Sequence, residues 1–207
     1  MAVGRVLIAV SLLAVSQGLP RSIWDQLRTL RRTDFTKVIV SDADSGEASF
    51  CQQKQDHFAT GSNASWCQRY FVNAKHWGGP GSPVFLCVGG EGPPLDASVV
   101  VESVHCNDAV ELAPRVGAML LAVEHRFYGK SLPGVPDLST ESLRLLSSRQ
   151  ALADLATFHG FAQAKFGLGS AKWVTFGGSY PGMLASFARL LYPELFHAAV
   201  ASSAPVL

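Results

Sequence analysis

The sequence predicts an α/β fold built on a mostly parallel sheet. Short apolar runs that do not alternate recur along the chain, as strands buried on both faces require. Segments with helical periodicity lie between them, the alternation that produces a parallel sheet. Gly-rich and charged residues follow the apolar runs, at the strand ends where such sheets bind ligands. Composition agrees. Of 207 residues, 48% are hydrophobic and only 16% charged. An average chain has about 25% charged residues, so a disordered class is excluded. Seventeen basic residues against sixteen acidic ones leave a formal charge of +1. That near-balance excludes a protein that works by neutralising phosphates, and no nucleic-acid partner is expected.

The elements follow in order. Residues 1–18 place Arg5 before the apolar run Val6 to Val15, with Ser16 and Gly18 after it. This is the order of a secretory signal peptide, cleaved after Gly18. The alternative is a buried N-terminal helix. The run is too short to span about 30 Å of hydrocarbon, and no membrane span is expected anywhere. Residues 19–48 are charged and read as a propeptide or lead-in, so the folded domain is expected over 49–207. Val84 to Val88 is the first apolar strand, bounded by Gly81-Ser82-Pro83 and Gly89-Gly90. Ser98 to Ala113 reads as one helix. Ala118 to Val123 is a second strand, running into Glu124-His125-Arg126. Ser147 to Phe166 is a helix whose apolar face holds Leu152, Leu155, Ala156, Phe158 and Ala162, with Ser148 as its expected cap. Trp173 to Phe176 is a third strand, ending in Gly177-Gly178. Tyr180 to Leu191 is a helix stopped by Tyr192-Pro193. His197 to Ala201 is a fourth strand.

Export is supported by two further features. Asn63-Ala64-Ser65 is an N-glycosylation acceptor. Cys51, Cys67, Cys87 and Cys106 make an even count, which allows three disulfide connectivities. Cys87 also fits a free buried thiol. No Cys/His spacing points to a metal, and no cofactor is expected.

The chemistry lies in the strand–turn–helix around Gly177-Gly178-Ser179-Tyr180-Pro181-Gly182. A sharp glycine-tight turn lifts a Ser hydroxyl to a helix N-terminus, the context of the nucleophile elbow of the α/β-hydrolase fold. Ser179 is the expected nucleophile. The N–H of Tyr180 would face the developing oxyanion, and a backbone N–H of the Gly89-Gly90-Glu91-Gly92 loop, at Gly90, is the candidate second donor. The strict G-x-S-x-G spacing is not met, since position 181 is Pro. Pro is tolerated in a first helical turn. The competing reading is a Gly-rich turn with a capping Ser. A phosphate loop is excluded because no G-K-[ST] follows. Glu124 and Arg126 are read as an ion pair that shapes the pocket or simply holds structure. Glu91, Tyr128 and Tyr180 are read as substrate-site lining or as packing. Asp56 and His57 are read as structural.

These segments resemble the serine peptidase family of lysosomal Pro-Xaa carboxypeptidase, dipeptidyl peptidase II and thymus-specific serine protease. The resemblance is carried by Asp56-His57-Phe58, by Gln68-Arg69-Tyr70 with Asn73, by Gly90-Glu91-Gly92, and by Glu124-His125-Arg126-Phe127-Tyr128-Gly129. Gln150 to Asp154, Gly177 to Tyr180, and Ser202-Ser203-Ala204-Pro205 complete it. It covers residues 50–207 and leans toward the thymus-specific branch. It implies a secreted or lysosomal serine exopeptidase that takes peptide substrates beside a Pro and acylates Ser179. The oligomeric state is left open.

A Ser nucleophile needs a base and an acid, in the order Ser, Asp or Glu, His on this fold. After Ser179 the chain offers Glu194 and His197. A helix of about 18 Å separates them from the elbow, so they are expected at the opposite edge of the sheet. The resemblance implies that the acid, the base and a helical cap lie beyond residue 207. The chain is therefore expected to be a fragment or shortened isoform, inactive alone. The alternatives are a non-catalytic secreted product that binds peptides or a partner, and an esterase on the same fold.

Overall fold

The computed structural model describes residues 45–102 and 106–206. The signal peptide and most of the lead-in lie outside the described residues. Six strands form one sheet in the order β1-β2-β4-β3-β5-β6. They are β1 (Ser45–Lys54), β2 (Ser65–Asn73), β3 (Val84–Val88), β4 (Met119–Val123), β5 (Trp173–Gly178) and β6 (Phe196–Ser202). The pairs β4-β3, β3-β5 and β5-β6 are parallel. The pairs β1-β2 and β2-β4 are antiparallel. The helices are α1 (Asn107–Val116), the short α2 (Thr140–Leu143), α3 (Ser148–Phe166) and α4 (Tyr180–Leu191).

The central strands are buried on both faces because helices cover both. Val84, Leu86 and Val88 of β3, with Met119, Leu121 and Val123 of β4, pack on Leu152, Leu155 and Phe158 of α3 and on Leu184 and Ala188 of α4. Phe85, Cys87, Leu120 and Ala122 point the other way, onto Val99, Val100 and Val110. Each parallel strand therefore feeds two apolar layers, which is why its sequence does not alternate.

Four expectations change. The helix read over 98–113 is two pieces: a 3₁₀ turn over Ala97–Val100, and α1 beginning at Asn107. Cys106, just before α1, is bonded to Cys87 at the end of β3, so the start of α1 is fixed by a tertiary bond. The cap of α3 is Ser147, whose hydroxyl accepts from the Gln150 N–H at 3.2 Å, not Ser148. Cys87 is not a free thiol. The cysteines pair as Cys51–Cys67 and Cys87–Cys106. The β1–β2 hairpin was not expected, and β1 begins at Ser45, inside the segment read as lead-in. Among the described residues no helix is long and apolar enough to cross a membrane.

Candidate active site

The loops after β3, β4 and β5 all open at the carboxyl edge of the parallel strands. Ser179 stands between β5 and α4 with φ 57° and ψ −129°. Positive φ is rare for a residue with a Cβ and costs about 1–3 kcal/mol. The turn must therefore be held by its neighbours. The Ser179 N–H donates to the Ser202 carbonyl at 2.9 Å, tying the elbow to the end of β6. A Cβ on Gly177 would lie 2.4 Å from the Pro181 carbonyl oxygen. A Cβ on Gly182 would lie 2.9 Å from the Gly177 oxygen. Both positions need glycine. The Ser179 side chain makes no capping bond, and the residue is exposed. The capping-Ser reading is thereby set aside. As the first residue of α4, Tyr180 has an N–H with no partner one turn back.

Pro181 fits because of Gly90. A Cβ on Gly90 would stand 2.2 Å from the ring Cγ and 2.7 Å from Cδ. The absent side chain at 90 is thus the space the proline ring fills, and the contact brings the 89–92 loop against the elbow. Glu91 is exposed on that loop. Its charge acts on both His125 and Tyr180, favouring the protonated form of each. The Tyr128 ring lies 5.3 Å from His125. Glu91, Tyr128 and Tyr180 therefore gather around His125, beside Ser179.

Glu124 and Arg126 do not pair with each other, though both line one small cavity together with Gln68, His125 and Asp154. Both are buried. Glu124 is clasped by Arg69, with Nη2 to Oε1 at 2.5 Å and Nε to Oε2 at 3.2 Å. It also accepts from the N–H groups of Leu95 and Lys130 and from the Ser131 hydroxyl. Burial works to raise the Glu124 carboxyl, but these bonds, that from Arg69 foremost, hold it below the usual carboxylate range. Arg69 Nη2 also donates to the Leu95 carbonyl. The Arg69–Glu124 pair thus grips both main-chain groups of Leu95, the far end of the loop that carries Gly90.

Arg126 instead forks onto Asp154 of α3, with Nε to Oδ2 and Nη2 to Oδ1 both at 2.7 Å. His57 Nε2 lies 2.7 Å from the same Oδ1. Asp56 accepts from the Phe58 and Ala59 N–H groups and from Gln150, which hold its carboxyl below the usual range. These bonds tie Asp56 and His57 to α3. Arg69 and Asp154 had been quoted only within motifs. A signal for Asp154 was present: it falls on the helix face of Ala151, Leu155 and Phe158, where a charge needs a buried partner.

His197 lies at the amino-terminal edge. It follows Phe196, which pairs with Trp173 at the start of β5, and falls at the register shift before the Val174–Ala198 pair. Its neighbouring charges are Lys172 and Arg189, which together with burial lower its pKa. Glu194 acts on His159 there. Neither residue approaches the elbow, which is at the other end of β5.

Comparison with known proteins decides the family. The profile of serine carboxypeptidase S28 matches residues 53–207. The chain belongs to this peptidase family. It is 44% identical to human thymus-specific serine protease over 161 residues, which is 77% of this chain and 30% of that protein. It is 47% identical to the mouse protein of the same name over 160 residues, 75% of this chain and 30% of that one. Bovine lysosomal Pro-X carboxypeptidase is 35% identical over 163 residues, 76% of this chain and 31% of that protein. The chain spans under a third of the length of these relatives. Among solved structures, a prolyl endopeptidase superposes with a TM-score of 0.51 at 15% identity, covering 77% of this chain and 21% of that one. That likeness concerns the fold, which is the α/β-hydrolase type.

Proposed function

We propose that this chain carries the nucleophile half of a serine exopeptidase site acting on peptides at Pro-containing bonds. The observation that carries the reading is Ser179: exposed, uncapped, and held at positive φ between a parallel strand and a helix N-terminus. Ser179 Oγ attacks the peptide carbonyl carbon while a base takes its proton. The carbonyl oxygen becomes an oxyanion, received by the Tyr180 N–H and a backbone N–H of the loop at Gly90. The C–N bond then breaks, the amine leaves with the proton, and water hydrolyses the acyl ester. Glu91, Tyr128 and the Tyr180 ring form the adjoining substrate wall.

The base and its acid come from residues outside this sequence. Among the described residues, His57 is bound to Asp154, His125 has both ring nitrogens engaged, and His76, His159 and His197 lie toward the amino-terminal edge, beside Gly117, Trp173 and Phe196. The preference for Pro rests on the similarity to Pro-X carboxypeptidase. We also propose passage through the secretory pathway to secretion or the lysosome. Support comes from the signal-like N-terminus, the two disulfides, and Asn63, which is exposed in the β1–β2 turn and available for glycosylation.

A fluorophosphonate probe tests the nucleophile. The full-length protein should label at Ser179 and cleave an Xaa-Pro substrate, and Ser179→Ala should lose both. Residues 1–207 alone should do neither at a measurable rate. Labelling that survives Ser179→Ala, or peptidase activity from residues 1–207, would overturn the reading.

A further inference from the structure

We infer that His125 is a positioning residue for the oxyanion site, holding Tyr180 through a hydrogen-bond chain of fixed direction; this rests on the peptidase reading above. His125 Nδ1 lies 2.7 Å from the Arg126 carbonyl oxygen. A carbonyl only accepts, so Nδ1 carries the proton. His125 is buried, and burial lowers its pKa, which favours the neutral ring. Its Nε2 is then a lone pair. The Tyr180 hydroxyl lies 3.1 Å from Nε2 and must donate to it. That leaves the Tyr180 oxygen to accept from Ser148 Oγ, 3.3 Å away. The direction of every bond follows from the one carbonyl and the neutral ring.

The chain spans three elements. Ser148 begins α3, His125 follows β4, and Tyr180 begins α4. Ser148 is thus freed from capping α3, a task its neighbour Ser147 performs, and faces the elbow instead. The groups facing His125 are Arg126 and Asp154 below it, Glu91 from the β3 loop, and the rings of Tyr128 and Tyr180. Arg126 disfavours a second positive charge, while Asp154 and Glu91 favour one. Tyr180 has two jobs in this geometry. Its main-chain N–H faces the reacting carbonyl, and its side chain is anchored at the hydroxyl. Because His125 spends both nitrogens on the chain, it is not the general base.

The test has two arms. Ring-nitrogen NMR of His125 should show Nδ1 protonated and Nε2 bare but hydrogen-bonded. In Tyr180→Phe the Nε2 signal should move toward that of a free nitrogen. In the full-length protein, the saturating rate of fluorophosphonate labelling at Ser179 should fall about tenfold in Tyr180→Phe, less than for outright loss of an oxyanion donor. The probe concentration at half-saturation should not change. His125→Leu should match Tyr180→Phe, and His125→Gln, which keeps an acceptor, should restore most of the rate. A variant that merely disturbs packing would lower the melting temperature without this split. A proton found on Nε2, or a wild-type labelling rate in Tyr180→Phe, overturns the inference. Absence of labelling in the wild-type protein sinks the peptidase reading instead, and the NMR arm still decides the chain's direction.

Discussion

The fit of Gly90 against Pro181 can be tested by one added carbon. In Gly90→Ala the new Cβ would lie 2.2 Å from the ring Cγ and 2.7 Å from Cδ. Ordinary carbon contacts are about 3.5–4.0 Å, so one group must move by more than about 1 Å. The ring cannot swing away, because its backbone is part of the first turn of α4. Overpacking of this kind costs about 1–3 kcal/mol. Gly90 does not sit at positive φ. Alanine there brings no backbone strain and, absent the clash, would stabilise by about 0.4–1 kcal/mol through the unfolded chain. Truncating the ring should reverse the sign. In Pro181→Ala only Cβ remains, 3.5 Å from the new methyl, an ordinary contact. Gly90→Ala should therefore destabilise the wild type and be neutral or stabilising in Pro181→Ala. The gain through the unfolded chain is common to both backgrounds, so the coupling should equal the overpacking cost, about 1–3 kcal/mol, within the range for touching residues. Urea unfolding of the four proteins measures it. If Gly90→Ala costs the same in both backgrounds, the two residues do not touch and the account of the irregular elbow spacing is wrong.

Three further predictions follow from the buried polar groups. His159 packs against Trp173, with ring centroids 4.5 Å apart, and burial lowers its pKa from 6.5 to about 4. The unfolded chain takes up that proton near pH 6.5 and the fold resists until about pH 4, so stability is complete above pH 6.5 and falls between these values. After allowance for solvent screening of this partly buried ring the loss should be about 1–2 kcal/mol, read as a difference in pH dependence of urea unfolding between wild type and His159→Gln. Asp154→Asn leaves the buried Arg126 without its counter-charge and should cost about 3–5 kcal/mol, seen as a lower urea midpoint. Gly129→Ala should destabilise clearly in a thermal melt, because Gly129 is at φ +56° and a Cβ would lie 2.0 Å from Glu124 Oε1.

The parallel core was legible because burial on both faces leaves an unbroken apolar signature. β3, β4, β5 and β6 appear within two residues of their expected bounds. The elbow was legible because only glycine fits at 177 and 182, on either side of Ser179, and the sequence shows both. The hairpin was not legible. β1 carries the polar run Cys51-Gln52-Gln53-Lys54, and its partner β2 lies across a loop. What holds it is pairing to β2, the Cys51–Cys67 bond and a Gln53–Gln68 hydrogen bond of 2.7 Å, all tertiary. The ion pairs were hidden for the same reason. Glu124 and Arg126 are two apart in sequence but choose Arg69 and Asp154, 55 and 28 residues away. Residues two apart at a strand end point to similar sides, yet proximity in sequence does not specify the partner.

The buried polar layer beneath the site makes sense as direction rather than as stability. A buried ion pair costs several kcal/mol per ion in desolvation, and an apolar replacement of equal volume is often as stable. Two such pairs flank one residue, His125, at the end of β4. One grips Leu95 and so the loop bearing Gly90. The other joins α3 to the His57 segment. Apolar side chains could fill this space but could not fix a main-chain N–H or a ring tautomer. Ser179, meanwhile, keeps a backbone conformation that is uphill by about 1–3 kcal/mol and persists only where its surroundings over-determine it. The Ser202 carbonyl, the two glycines and the Gly90–Pro181 contact supply that from the elbow's own neighbours. The ion pairs supply it to the loops the elbow leans on. On the proposed reading, strain at Ser179 and charge beneath it are one device: the donors that would receive an oxyanion are aimed before any substrate arrives, which is where such a site gains most of its effect.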